Sequence, residues 1–130
     1  MSEYAVKRID EMEAVYRGAF KRVRAELGVE SFGMQVIDMP PNFEHYPEHD
    51  HSHDDQEEVF VALRGGGEIE IAGERFPLDG DHMVRVGPGL KRKIWPGPEG
   101  IRLLAVSGVP GRAYEPPDLS KLGEPDPMAS

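Results

Sequence analysis

Residues 45–65 read HYPEHDHSHDDQEEVFVALRG, an acidic, histidine-rich stretch that runs directly into an apolar one. Four of the 5 histidines of the chain lie in its first half. Imidazole and carboxylate groups are the protein ligands that suit Fe, Mn, Ni, Cu and Zn. Residues two apart on an extended strand point to the same face, and His49, His51 and His53 have this spacing. The stretch therefore predicts a divalent-metal site and leaves the identity of the metal open.

The spacing of these three histidines limits how many of them can bind one ion. Alternate residues on an extended strand lie about 6.6 Å apart, whereas metal–nitrogen bonds are about 2.1 Å long. Two adjacent members of the series can share an ion, and the third joins only where a bulge or turn bends the backbone. We expect either His49 with His51 or His51 with His53. The alternative is an acidic loop that binds no ion.

From Ser31 onward, short apolar runs of strand length alternate with turn residues, and many of the 15 Gly and 12 Pro residues fall between the runs. Glu68–Ile71 alternates strictly between charged and apolar side chains, as a strand with one solvated face does. The pattern predicts an all-β antiparallel barrel or sandwich. The predicted strands are Phe32–Met39, Val59–Leu63, Glu68–Ile71, Met83–Val86, Arg92–Trp95 and Ile101–Val106, and the predicted turns are Pro40–Asn42, Gly65–Gly67, Ala72–Glu74, Asp79–Asp81, Gly87–Gly89 and Pro96–Gly100.

The two ends of the chain differ from this middle part. Tyr4–Ile9 predicts a short strand, and apolar residues at intervals of three and four over Asp10–Leu27 predict a helix or helical turns that end at Gly28. Glu115–Ser130 has few apolar anchors, which predicts a tail that lies over the surface or stays disordered. A chain of 130 residues fits one domain, with residues 1–30 as an N-terminal cover, 31–114 as the barrel and 115–130 as the tail.

Composition excludes several classes of function. A net charge of −9 opposes binding to nucleic acid and to anionic membranes, so we expect neither as a partner. The chain has no cysteine, so any metal must be held by nitrogen and oxygen ligands. No apolar stretch approaches the length that crosses a bilayer, and residues 2–13 contain no signal-peptide core. We therefore expect a cytoplasmic protein.

The apolar run Val59–Leu63 has no polar side chain on either face of a strand. Such a strand belongs inside the protein or at a contact between subunits. We therefore expect a homodimer.

The order of residues after His51 resembles the first motif of the cupin family. That motif runs Gly, five residues, His-x-His, three or four residues, Glu, six residues and Gly. Here His51-Ser52-His53 is followed by four residues, Glu58, six residues and Gly65. The position of the leading glycine holds a histidine in this register.

A second register of the same motif begins two residues earlier. It uses His49-Asp50-His51, places Asn42 near the turn glycine of the family and leaves a longer gap before Glu58. The resemblance implies an antiparallel double-stranded β-helix, the jelly-roll barrel of the cupins, preceded here by a short helical segment. It also implies metal ligands among four residues: His49, His51, His53 and Glu58.

The second cupin motif is incomplete in this chain. It should read Gly, five residues, Pro-x-Gly, two residues and His, but here Gly80 leads to Gly87-Pro88-Gly89 and the family's fourth ligand position holds Arg92. A guanidinium stays charged and does not coordinate a metal. The resemblance thus implies two histidines and Glu58 with open coordination positions, or a third imidazole from the loop, which His45 could also supply.

Arg92 itself has two interpretations. Its planar guanidinium suits a carboxylate or phosphate of a small acidic ligand, in a pocket that Phe60 and Trp95 would help to line. Alternatively, Arg92 lies with Lys91 and Lys93 on a solvated strand. His82 is expected to be an ordinary surface or core histidine.

Three hypotheses for function remain open at this stage. The first is a metal-dependent enzyme, dioxygenase- or isomerase-like, acting on an unidentified small molecule. The second is a metal-free or non-catalytic cupin that binds a small ligand as a sensor or carrier, which the incomplete second motif favours. The third is a purely structural role through the homodimer. No nucleophile–base pair or phosphate-binding loop marks a catalytic residue, and whether the chain is an enzyme stays open.

Overall fold

The computed structural model describes residues 3–128, in which one antiparallel β-sheet folds over on itself. Short 3-10 turns lie at both ends of the described chain. The elements are a 3-10 turn at Ile9–Glu11, β1 at Ala14–Val15, β2 at Phe20–Lys21, α1 at Val23–Leu27, β3 at Gly33–Met39, β4 at Glu57–Ile71, β5 at Glu74–Leu78, β6 at Met83–Val86, β7 at Arg92–Gly108 and a 3-10 turn at Asp118–Ser120.

Two long strands, β4 and β7, form the spine of the barrel. They pair antiparallel along almost their whole length, from Glu57 opposite Gly108 to Ile71 opposite Arg92. The amino-terminal half of β4 also pairs with β6, and its carboxyl-terminal half pairs with β5. On the other side of β7 the order continues through β3 and β2 to β1. The predicted antiparallel all-β fold is confirmed.

The predicted turns at Gly65–Gly67 and Pro96–Gly100 are wrong, because both strands continue through these residues. The two interruptions lie opposite each other, with Gly67 paired to Pro96, and the ladder shifts register there. A Cβ on Gly67 would lie only 2.1 Å from the Trp95 carbonyl oxygen, so the glycine allows the close approach of the strands. The glycines and prolines therefore mark β-bulges in paired strands, where a strand changes direction without ending.

The prediction missed strand β5, which follows the Ala72–Gly73 turn. Both turn residues have positive φ, 50° and 86°, which matches a tight hairpin. Four of the five β5 residues are exposed, so an apolar pattern could not reveal the strand. The two-residue turn fixes the register of β5 against β4, in which Ile69 is paired with Phe76.

The core lies inside the fold, between the two halves of the bent sheet. Side chains from both halves meet in one cluster, which also receives Met39 from the end of β3 and Tyr46 from the loop between β3 and β4. The buried strand residues of this cluster are Phe60, Ala62, Ile69, Leu78, Val86, Ile94, Ile101, Leu103 and Ala105. At roughly 25 cal/mol per Å² of buried apolar area, this packing is the main stabilising contribution to the fold.

The N-terminal segment differs from its prediction. Tyr4–Ile9 forms no strand, and Asp10–Leu27 is helical only at Val23–Leu27, apart from the 3-10 turn. Tyr16, Arg17 and Gly18 have positive φ and turn the chain into the hairpin of β1 and β2. Pairing of β2 with the edge of β3 satisfies backbone groups that a helix would have satisfied internally. Strand pairing with β3 thus outweighs the local preference of this segment for a helix.

The helix and the carboxyl-terminal tail cover the outside of the sheet. Helix α1 ends at Gly28 with a φ of 80°, as predicted. Val23 packs with Met12 and Val36 in a second, smaller cluster. Up to Met128 the tail lies over the N-terminal hairpin, where Arg22 donates a hydrogen bond to the Leu119 carbonyl. No helix in residues 3–128 is long and apolar enough to span a membrane.

The run Val59–Leu63 is buried on one face only. Phe60 and Ala62 point into the core, whereas Leu63 on the other face is 47% exposed. Of the two alternatives for this strand, burial inside the protein does not hold for Leu63, and a contact between subunits stays a prediction.

Candidate metal site

The histidine-rich loop is held beside the start of β7. The backbone of His49 exchanges two hydrogen bonds with that of Arg92, at 2.9 and 3.1 Å, and the His51 N–H donates to the Pro88 carbonyl. Arg92 lies at the same end of the barrel as Glu58, which is near the beginning of β4. These contacts bring two segments that are distant in the chain to one end of the barrel.

Three of the predicted ligands converge there. One ligand atom from each of His49, His51 and Glu58 can be chosen so that all three lie within 4.8 Å of one another. Glu58 Oε1 lies 3.2 Å from His51 Nε2 and 4.0 Å from His49 Nε2. The two imidazole rings meet edge to face, with centroids 5.1 Å apart. The structure thus favours the His49-Asp50-His51 register.

The donor set fits a divalent metal. His51 Nε2 is buried and has no hydrogen-bond partner, although a carboxylate oxygen lies 3.2 Å away. A buried polar atom without a partner costs free energy, and native structures rarely keep one without a reason. Two imidazole nitrogens and one carboxylate form a 2-His-1-carboxylate set, which suits Fe(II) and related ions. This orphaned nitrogen is the observation that supports the fit.

The charges at the site favour an ionised Glu58. Burial raises the pKa of Glu58, but the neighbouring His51 ring and the Arg92 guanidinium outweigh it, so the pKa lies below its ordinary value. The neighbouring Glu58 carboxylate raises the pKa of His51, against its own burial, with Asp54 adding to the rise. Without a metal, His51 therefore holds a proton more readily than an isolated histidine.

Arg92 lies beneath the carboxylate and is 0% exposed. Its Nη1 donates to Glu58 Oε1 at 2.5 Å, its Nη2 donates to the carbonyls of Gly87 and Leu90, and its Nε also donates to Leu90. The interpretation of Arg92 as part of a solvated strand is therefore wrong. All four of these hydrogen bonds go to protein acceptors, so they hold the guanidinium against Glu58 and away from solvent.

His53 lies outside the set that includes Glu58. Its side chain is 73% exposed, and its Nε2 is 3.4 Å from an Asp54 oxygen. It belongs to a second group, with His51 and Asp54, whose ligand atoms also approach within 4.8 Å. His51 is common to both groups. Two candidate ligand sets therefore compete for one imidazole.

The remaining histidines lie elsewhere. His45 is exposed and contacts the ring of Phe43 edge to face. His82 is a surface residue that pairs with Asp79 at 2.7 Å, as expected.

The two aromatic residues predicted to line a pocket have different positions. Phe60 shares a face of β4 with Glu58 but is fully buried in the core cluster. Trp95 points away from the core, because its neighbour Ile94 points into it. The Trp95 ring is covered by Arg75 and Lys93, at 4.3 and 4.4 Å from its centroid. The expectation that Trp95 lines the ligand pocket is therefore wrong.

Three residues of the site were missed from the sequence. Tyr46 is buried beside His49, with ring centroids 5.7 Å apart, and burial together with the charge of Glu58 raises the pKa of its hydroxyl. Asp54 and Gln56 lie in the turn after His51 and are hydrogen-bonded to each other. An aromatic residue inside so polar a loop was the available signal for Tyr46. No local pattern marks the other two.

No protein-family model matches this chain, and no curated protein matches it. Solved structures do. A cupin protein from Bacteroides fragilis is similar to it at a TM-score of 0.70 and 20% identity, over 90% of this chain and 93% of that one. A Photorhabdus luminescens protein matches at a TM-score of 0.62 and 16% identity, over 85% and 90% of the two chains.

The cupin domain of Cnp3 from Schizosaccharomyces pombe matches at a TM-score of 0.54 and 26% identity, over 61% of this chain and 56% of that one. The Bacteroides fragilis protein and this domain both carry the cupin name. The likeness confirms the fold that the motif predicted and transfers no activity, substrate or metal.

Proposed function

Because its fold is that of the cupins, we propose that this protein binds a divalent metal through His49, His51 and Glu58 and uses it to act on a small molecule. The reaction class that fits best is dioxygenase- or isomerase-like. The observation that carries the proposal is the buried, unpartnered Nε2 of His51, directed at a carboxylate in a cluster of three potential ligands.

The metal would supply Lewis acidity, together with oxygen chemistry if it is Fe(II). The residues of the chain hold and shield the ion. His49, His51 and Glu58 are the ligands, and Arg92 keeps Glu58 ionised and oriented by a 2.5 Å hydrogen bond. Phe60, on the same face of β4 as Glu58, belongs to the buried core cluster. His49 is one-third exposed, so a small molecule would approach from its side.

A metal-free, ligand-binding cupin is the second candidate, and one observation favours it. Arg92 already gives Glu58 a permanent cationic partner in the interior. A carboxylate that is neutralised in this way needs no metal to be stable. Under this alternative the protein would act as a sensor or carrier of a small acidic ligand that enters beside His49.

Elemental analysis of the untagged protein, purified without chelator, separates the two candidates. We expect about one Fe, Mn, Ni, Cu or Zn per chain, lost in His51→Ala and retained in His82→Ala. His82 is the matched control, because it is a histidine paired with an aspartate on the surface. An empty wild-type protein, or a metal content unchanged by His51→Ala, would contradict the proposal.

If the protein is empty, thermal unfolding in the presence of small organic acids tests the alternative. A ligand that binds the native state raises the melting temperature in proportion to the logarithm of its concentration. No shift across a range of mono- and dicarboxylates would exclude the acidic class of ligand.

We further propose that the protein forms a homodimer through the outward side of β4 and β6. Leu63 and Met83 are 47% and 79% exposed there, and Met83 is next to Val61, which is paired with it in register. Single exposed apolar residues are ordinary, whereas a contiguous apolar area favours a partner. A solution mass of one chain at micromolar concentration would rule out the dimer. A cytoplasmic location remains a prediction.

A further inference from the structure

We propose that Asp54 is a positioning residue for the metal site, because it holds the His51 ring with a proton on Nδ1 and leaves Nε2 facing Glu58 and His49. This inference rests on the proposed function for its consequence, but its central claim concerns the imidazole alone.

The turn after His51 brings Asp54 back to the ring. The backbone N–H groups of Asp54 and Asp55 both donate to the His51 carbonyl, at 3.2 and 2.8 Å, and Asp55 has a φ of 58°. His51 Nδ1 then lies 3.1 and 3.3 Å from the two carboxylate oxygens of Asp54. An ionised carboxylate only accepts hydrogen bonds, so Nδ1 must donate, whereas the 3.2 Å contact between Nε2 and Glu58 does not form a hydrogen bond.

Protonation of Nδ1 determines what the other ring nitrogen does. In the neutral imidazole only one nitrogen carries hydrogen, so a donor at Nδ1 leaves a lone pair on Nε2. That nitrogen is the buried one without a hydrogen-bond partner, and it faces Glu58. A metal-binding histidine that donates its other N–H to a carboxylate has a fixed tautomer and ring orientation. Asp54 therefore prepares His51 as a ligand.

Gln56 holds the Asp54 carboxylate from its other side. Its Nε2 donates to Asp54 Oδ2 at 3.1 Å, and its backbone N–H donates to Oδ1 at 3.3 Å. Gln56 is buried, so its amide has a defined place in the structure. Asp54 thus accepts from three donors, His51 Nδ1 and the two N–H groups of Gln56, and these contacts fix the carboxylate against the imidazole ring.

These side chains form one continuous network of polar contacts across the site. Gln56 holds Asp54, Asp54 holds His51, and His51 and Arg92 both contact Oε1 of Glu58. Substitution of an outer partner of a metal ligand typically lowers metal affinity by about 10- to 100-fold. The same range is expected for loss of Asp54.

The test compares Asp54→Ala with the matched control Asp50→Ala. Alanine offers no acceptor, so Nδ1 of His51 loses its partner whichever way the Gln56 amide is turned. Asp50 lies in the same loop but accepts only from Ser52. The probes are 15N NMR of the His51 ring in metal-free protein at alkaline pH and titration with Zn²⁺ alone.

We expect the wild-type His51 ring to carry its proton on Nδ1, with the same result in Asp50→Ala. Asp54→Ala leaves Nδ1 without an acceptor, so the proton should move to Nε2, where Glu58 can accept it, and Zn²⁺ binding should weaken by about 10- to 100-fold. A proton on Nε2 in the wild-type ring, or an unchanged ring in folded Asp54→Ala, overturns the inference.

The NMR measurement also separates this inference from the proposed function. A wild-type protein that binds no Zn²⁺ but shows the Nδ1 proton, lost in Asp54→Ala, contradicts the metal site and supports the role of Asp54. Tight Zn²⁺ binding that Asp54→Ala leaves unchanged would support the metal site and overturn the role of Asp54.

Discussion

Two arginines on the same strand, Arg92 and Arg102, both pair with carboxylates, but in opposite surroundings. Arg92 is 0% exposed and pairs with a single acid, Glu58, and its remaining hydrogen bonds go to backbone carbonyls. Arg102 lies on the outer face with Asp38 and Asp10, and Lys21 shares Asp38 with it at 3.2 Å. The first pair is enclosed within the fold. The second belongs to a network on the outer face in which Arg102 is 12% exposed and its partners Asp38 and Asp10 are 30% and 64% exposed.

The difference shows how burial changes the consequence of losing one partner. A buried ion pair gains little net stability from its charges, because desolvation offsets their attraction, but removing one partner leaves an uncompensated charge in the interior. A partly exposed pair keeps access to water and loses little. The same residue types on β7 should therefore respond very differently to the same substitution.

The largest expected effect follows from Arg92→Met, with Arg102→Met as the matched control. We expect the free energy of unfolding to fall by about 3–5 kcal/mol for the first and by about 1 kcal/mol for the second. Urea unfolding of metal-free protein, followed by circular dichroism, measures both. Equal losses would show that the Arg92–Glu58 pair is not enclosed as described.

A smaller effect is expected when both members of the buried pair are replaced. Glu58→Leu combined with Arg92→Met removes both charges, so no uncompensated group remains and packing can substitute for the pair. The double variant should be more stable than Arg92→Met alone by about 2 kcal/mol, measured in the same urea series. A double variant that is less stable than the single one would show that the core cannot accept apolar side chains there.

The smallest expected effect is the pH dependence of stability near the acidic limit. Interactions hold the pKa of both Glu58 and Asp38 below their ordinary values of 4.5 and 3.8, despite partial burial. A lowered pKa in the folded state stabilises the protein above the ordinary pKa, and the gain is lost as the pH falls through the folded value. Below about pH 4.5, therefore, Glu58→Gln and Asp38→Asn should each flatten the loss of stability.

Urea unfolding between pH 6 and pH 2 checks this expectation, with exposed Glu99→Gln as the control. If the free energy of unfolding depends on pH in both carboxylate variants as it does in the wild type, neither Glu58 nor Asp38 has a lowered pKa in the folded state.

Much of the barrel could be predicted because its signals are local. Met83–Val86 was predicted with the bounds that the structure has, and the Ala72–Gly73 turn was recognised from its residues. The combination of His49, His51 and Glu58 followed from strand spacing together with the motif. Choosing between the two registers needed the loop's pairing with the start of β7, which no spacing in the chain contains.

Other features escaped prediction because they depend on distant partners. Apolar residues do recur at helical intervals over Asp10–Leu27. However, β2 pairs with the edge of β3, and most of the predicted helix does not form. Gly65–Gly67 suggested a turn, whereas the pairing of Gly65 with Ile101 and of Gly67 with Pro96 makes it a bulge. In each case a local preference of a few tenths to about 1 kcal/mol per residue competed with hydrogen bonding and burial that act together.

The fold class and the chemical nature of the site can be read from the chain alone, because alternation, turn residues and donor types are local properties. Three features depend on how the chain folds in space: Arg92 points inward to hold Glu58, Trp95 points outward, and Asp54 turns back onto His51. The direction of a side chain on a strand depends on register and bulges, which are set by the partner strand. The sequence therefore supplies the ligand residues, and the pairing of β4 with β7 determines the direction of their side chains.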